Sequence, residues 1–359
     1  MSNRLRHVLG ALNAPWAITP DGFETVCAIL DRRAAGVHLS DRAISAAIKE
    51  SRAEFEARHE AAGMAMPKGA ASGALAVIPV YGTILPRPVA DISGGGGCSM
   101  SDLMDKIGAA DADPTVAHIL LDVDSPGGSV SLVPEAAAVI RDARTPISAI
   151  ANTMCASAAY YLATQADELV VTPSGCVGSI GVFARHVDNS GALAQEGLAV
   201  TLISAGDNKT LGNPYEPLSD AARAEIQAAV DECYDEFVAA VAYGRGVPTD
   251  DVLAHFGQGS MFSAVAAVGV GMADRVETFD GTVQRLLSSP GQSRPFGARA
   301  MRADASETGV LAADETPDED SPIPAERHDD AATVVTFAPD AEKLLARGLL
   351  LHGPDSTGR

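Results

Sequence analysis

An α/β domain with a mostly parallel sheet is the fold predicted for this chain of 359 residues, on three observations. From Ala74 onward, short β-type runs alternate with helical segments. Those runs are apolar on both faces, as strands covered by helices on either side must be. The composition, 47% apolar and 20% charged, is that of a globular chain.

Taken in order, residues 1–70 read as a helical extension. Thr19 or Asp21 can cap a segment running to about Arg33. Ser40 opens a second, with Ile44, Ile48 and Phe55 near helical spacing. Residues 64–73, MAMPKGAASG, form a small-residue linker. The main domain spans 74–287. Its expected strands are Ala74–Tyr81, Ala117–Val123, Pro146–Ala151, Leu169–Thr172 and Leu198–Ile203. Helices are expected at Ser101–Ala110, Ser131–Ala143 and Ser157–Gln165, and a long one over Ser219–Tyr243 with Ile226, Val230, Cys233/Tyr234, Phe237/Val238 and Val241 at three- and four-residue steps. A helix pair, Asp250–Phe256 and Ser263–Val270, follows. Residues 288–359 read as a disordered acidic tail, with eight acidic residues and one basic between Asp314 and Asp330. Only residues 340–351 there suit a short helix, one that would fold against a partner.

Charge and cysteine usage narrow the function. With 26 Lys+Arg against 47 Asp+Glu, the net charge of −21 argues against nucleic acid as a partner. Five scattered cysteines without a C-x-x-C pair suit neither a disulfide scaffold nor a zinc site, and fit a reducing compartment. No His/Asp/Glu cluster has metal-ligand spacing, so no cofactor is expected. No apolar run reaches the ~18 residues of a membrane helix. A cytoplasmic protein without a membrane partner is the expectation.

Three segments carry chemistry. The first is Asp124-Ser125-Pro126-Gly127-Gly128-Ser129, directly after the strand AHILLDV, where paired glycines let the backbone bend and present N–H groups. In the second, Met154-Cys155-Ala156-Ser157-Ala158-Ala159-Tyr160, a strand passes into a helix through small residues, and a serine at a helix start gains from the positive dipole end. The third holds Lys209, the only lysine between Lys106 and Lys343 in a chain that uses arginine freely. An amine can lose its proton where a guanidinium cannot. Each feature alone has a plain reading: an N-cap, a turn, a solvated charge. Together and in this order they point to a nucleophile with a base.

Strand–DSPGG, then MCASAAYYLA, then PSGCVGSIGV, then a single lysine on the following loop resembles the S49 peptidases, relatives of signal peptide peptidase A. The resemblance covers about residues 74–280 and implies a ClpP/crotonase-like fold. The segment NAPWAITP resembles the phage branch, the capsid assembly or head maturation proteases. By this resemblance Ser157 is the nucleophile and Lys209 the general base of a Ser–Lys dyad. Gly128 and Ala158 supply the oxyanion-hole N–H groups, and Ser179 orients the lysine amine. Peptide substrate would lie as an extended strand beside Ser125, Gly127, Gly178 and Ile180. The amine must be neutral to take the serine proton, and an apolar enclosure would bring its pKa from ~10.4 toward ~7–8. Asp207, two residues before the lysine, is expected to point away. The implied substrates and partners are capsid, portal or scaffold proteins inside a prohead, with the enzyme a homo-oligomer.

Rivals within the site are weaker. Ser125 precedes proline and is suited to shaping its loop. Cys155 has no histidine near it in the motif order. His118, His186 and His255 are the candidates for a triad, and His186 the nearest in sequence to the GSIGV segment, with a rim role favoured for it. Three other functions stay open at this point: a cytoplasmic peptidase degrading peptides, a crotonase-type enzyme acting on acyl-CoA, and a non-catalytic assembly protein of the same fold.

Overall fold

The computed structural model of the protein describes residues 15–34, 74–87 and 97–288. The expected helix from Ser40, the linker at 64–73, and the tail beyond Ser288 with its 340–351 segment lie outside the described residues.

Apolar β-branched runs become the central strands. β2 (Ala74–Tyr81), β5 (Val116–Ser125), β7 (Ile147–Ala156), β8 (Glu168–Val171) and β11 (Arg275–Val276) run parallel. The first half of β7 pairs with β8, and its last three residues pair with β9 (Cys176–Gly178), which carries β10 (Met261–Ser263) antiparallel at the sheet edge. Among the described residues this makes a seven-stranded, mostly parallel sheet. The α/β class expected from the sequence is the observed one.

Both faces of this sheet are covered, which is why its strands read as continuous apolar runs. Ile119, Leu121, Val123, Ala149 and Ala151 face the main core with α2 (Met100–Ala112) and α3 (Val133–Asp142). Leu120, Ile150 and Val170 face the opposite layer, where Val283, Leu286 and Leu287 of α9 (Phe279–Ser288) cover them. Helix α9 is held by Arg285, which reaches Glu168 at 3.0 Å and Glu277 at 2.9 Å. This helix falls where the sequence reading gives only the end of the domain.

A second, smaller sheet has the order β1-β6-β3-β4, from β1 (Trp16–Ile18), β6 (Gly127–Ser129), β3 (Ile84–Leu85) and β4 (Cys98–Ser99). Helix α1 (Pro20–Ala34) follows β1 and is capped by Thr19, whose Oγ1 accepts from the Gly22 amide. Phe23, Val26, Cys27 and Leu30 of α1 join Trp16, Ile18 and Leu85 in a separate apolar cluster.

The long helix forms as expected. α6 (Asp220–Arg245) starts at Ser219, whose Oγ accepts from the Ala222 amide, and ends at Gly246 in the left-handed region. Its second half buries Phe237, Val238 and Val241, while its first half is mostly exposed. One expectation fails. Leu198–Ile203 is not a strand but an irregular arm, with Leu198 50% and Ile203 95% exposed. Its strand propensity meets no pairing partner among the described residues. α4 (Ala158–Ala163), α5 (Ser190–Gln195), α7 (Thr249–His255) and α8 (Ala264–Gly269) complete the described elements.

Candidate active site

Ser157 stands where β7 ends and α4 begins. Its backbone has φ 56° and ψ −122°, a region that favours glycine. The turn is fixed from outside: the Ser157 amide donates to the Gly178 carbonyl at 2.8 Å, and the Tyr161 amide donates to the Ser157 carbonyl at 2.9 Å. The hydroxyl does not cap the helix. It donates instead to the Gly181 carbonyl over a long 3.4 Å. A non-glycine residue is thus held in a strained strand-to-helix turn with its hydroxyl free of a capping role.

The DSPGG segment folds against this serine. Ser125 is fully buried; its Oγ donates to the Gly82 carbonyl at 2.7 Å and accepts from the Gly127 amide at 3.2 Å. It shapes the loop. Gly127 has φ 95°, and a methyl built on it would lie 2.9 Å from Ser157 Cβ. Gly128 is packed closer still: a Cβ there would meet the Ile84 carbonyl oxygen at 1.9 Å. Only glycine permits both the turn and this approach. Ala158, first residue of α4, is fully buried beside Ser157, and the helix itself leaves its amide without an internal acceptor.

The other expected site residues divide. Gly178 provides the carbonyl that anchors Ser157 and pairs with Met261. Ser179, also at positive φ, is buried with its amide on the Ser260 carbonyl, and Ile180 is buried in the main core. Lys209 is not brought to this group. It sits in an exposed turn, its amide on the Gly206 carbonyl, and no hydrogen bond joins its amine to Ser157 or Ser179. Asp207 makes no ion pair with it.

The rival nucleophiles and bases are occupied elsewhere. Cys155 is fully buried, and burial pushes its thiol far up, away from the reactive thiolate. His118 bonds Ser148 Oγ at 3.0 Å, and burial, with the nearby Arg285 cation, pushes it down to about 4. His186 Nε2 meets the Asn213 carbonyl at 3.1 Å and ties the 185–188 stretch to the loop beyond Lys209. His255 lies exposed beside Asp251 at 3.9 Å. Among the described residues no group of His, Cys, Asp or Glu could hold a metal ion, and no helix is long and apolar enough to cross a membrane.

Sequence reasoning missed what lies over the serine. β1 runs along β6, and a cavity of about 60 Å³ beside it is lined mainly by Ala17, Val133, Ala158, Tyr161 and Phe237, with Glu236 at its wall. Strands of three residues give no periodic signal, and the sequence reading took residues 1–70 as helical.

Residues 140–291 match the model of peptidase family S49. The chain is 32% identical over 300 residues to the capsid assembly protease C of Escherichia phage lambda, covering 79% of this chain and 68% of that protein. It is 33% identical over 209 residues to the head-tail preconnector protein GP5 of Enterobacteria phage P21, covering 56% of this chain and 40% of that one. A putative signal peptide peptidase SppA of Enterococcus faecium is 31% identical over 167 residues, 46% of this chain and 48% of its own length. A family match that runs through the Ser157 turn, joined to an alignment with a phage capsid protease over most of both chains, shows that this chain belongs to peptidase family S49.

Proposed function

We propose that the protein is a serine endopeptidase in which Ser157 attacks the peptide carbonyl and Lys209 takes its proton. The observation that carries this reading is the Ser157 turn: positive φ, an uncapped hydroxyl, and two glycine-built backbones against it. Gly128 and Ala158 amides would stabilise the oxyanion, and Ser179 would orient the amine. The phage relatives, a capsid assembly protease and a head-tail preconnector protein, support capsid, portal or scaffold proteins as substrates during head maturation.

Lys209 needs an enclosure, and it is exposed among the described residues. The adjoining arm exposes Leu198, Val200, Leu202 and Ile203. A second copy packed on this arm would bury it and bring the amine to a serine, which is the self-association the sequence reading expects.

Ser157→Ala, Lys209→Ala and Lys209→Arg should each abolish cleavage of a capsid or scaffold substrate with the fold unchanged, because guanidinium does not deprotonate in this range. Wild-type activity should rise from neutral to mildly alkaline pH. Near wild-type cleavage by Ser157→Ala would overturn the reading.

A further inference from the structure

The groove beside Ser157 is filled by the chain itself. β1 pairs antiparallel with β6 in the register Trp16↔Ser129, Ala17↔Gly128, Ile18↔Gly127. On its other edge, Trp16 exchanges amide and carbonyl bonds with Phe183 at 2.8 and 3.0 Å. The three-residue segment is thus paired along the DSPGG strand on one side and, through Trp16, to the stretch that follows GSIGV on the other. The Thr19 amide donates to the Pro126 carbonyl at 2.9 Å. Bonded pairs alternate along an antiparallel ladder, so Ala17 and Gly128 form the next one, and the Gly128 amide faces the Ala17 carbonyl.

Three further observations converge on Ala17. A methyl on Gly127 would lie 2.3 Å from the Ala17 carbonyl oxygen and 2.9 Å from Ser157 Cβ, so the two neighbour each other across that glycine. Ala17 lines a small cavity with Val130, Val133, Ala158, Tyr161 and Phe237, which Cys233 and Glu236 complete. The Ser157 hydroxyl donates to the Gly181 carbonyl, so it is not turned on the Ala17 peptide. The segment is also held at some cost: the buried Trp16 Nε1 has no hydrogen-bond partner.

We propose that β1 is a built-in substrate mimic that closes the peptidase groove. Ala17 occupies the place of the substrate residue whose carbonyl is attacked, and its cavity selects a small aliphatic side chain there. Helix α1 keeps the strand seated through Phe23, which packs edge-on against Trp16 at 5.5 Å and Phe183 at 5.1 Å. An extended peptide enters by replacing β1 strand for strand, taking over its main-chain bonds to β6 and Phe183. This inference rests on the peptidase reading.

The chain has a single tryptophan, so Trp16 emission reports directly on β1. Full-length Ser157→Ala protein would be titrated with acetyl-Ala-Pro-Phe-Ala-Ile-Thr-amide, which lacks tryptophan. The expected result is a saturable shift of emission to longer wavelength as Trp16 leaves its cluster. In the second experiment, Ala17→Arg and Trp16→Gly are each reacted with a fluorophosphonate. Each should label at Ser157 about ten-fold faster than wild type, since less of the population is closed. Wild-type labelling rates in both variants, or peptide saturation without any change in Trp16 emission, would overturn the proposal. Labelling that persists in Ser157→Ala would instead count against the peptidase reading.

Discussion

Ser157 and Lys209 occupy opposite kinds of surroundings. The serine is fully buried at the end of a central strand, in a strained turn fixed by Gly178 and closed by glycine contacts. The lysine lies in an exposed turn after an irregular apolar arm. The difference teaches where the chain holds its own geometry and where it does not. The long-range bond to Gly178 and the glycine contacts hold the Ser157 turn within a single folded core. Lys209 has no such frame among the described residues.

The largest effect that would sharpen this contrast is complementation. Ser157→Ala and Lys209→Ala should each lose about 10³-fold or more in activity. If copies complete each other's sites, mixing the two dead proteins under conditions that let copies exchange restores cleavage. A mixture that stays dead would show that the arm closes within its own chain. Next is steric room. Gly128→Ala forces a methyl against the Ile84 backbone and should lower unfolding stability by about 2–3 kcal/mol in urea. Gly206→Ala in the lysine turn meets nothing nearer than Lys209 Cβ at 3.9 Å. Only its φ of 93° is strained, so about 1 kcal/mol is expected there.

Acid should act on the buried side as well. The unfolded chain protonates His118 near the usual 6.5, the folded chain only at about 4, because burial opposes the charge. The stability this neutral histidine gives is complete above pH 6.5 and is lost as pH falls toward 4. About 2 kcal/mol should disappear between pH 7 and 5. His118→Gln should flatten that part of the urea-midpoint profile; an unchanged profile would remove the assignment. The smallest effect is strain relief. Ser157→Gly should gain about 1 kcal/mol while abolishing activity. Lys209→Ala should move stability by less than about 0.5 kcal/mol.

Much of the fold was legible because its signals are local or periodic. Thr19 and Ser219 cap helices as their positions suggest, and the run around Ile119–Leu121 reads as a strand because both of its faces are buried. Leu198–Ile203 carries the same apolar signal and does not pair, since propensity cannot say whether an edge is free. Helix α9 was hidden because Gly281 stands early in it and the Pro- and Gly-bearing stretch after Ser288 reads as linker. At the site, the small residues around Ser157 marked a tight turn, but its positive φ arises from long-range bonds to Gly178. The isolation of Lys209 among arginines was visible; its exposure was not. The strand over the groove left no periodic trace, and its partner β6 was read as a turn because of its glycines.

β6 is an interior strand of the small sheet only while β1 is in place. Lifting β1 turns Gly127–Ser129 into a bare edge, and such edges recruit whatever extended chain is near, including other copies. The same three residues that fill the groove therefore act as a guard against aggregation, and losing them should shorten the protein's life in storage before any effect on its chemistry is measured.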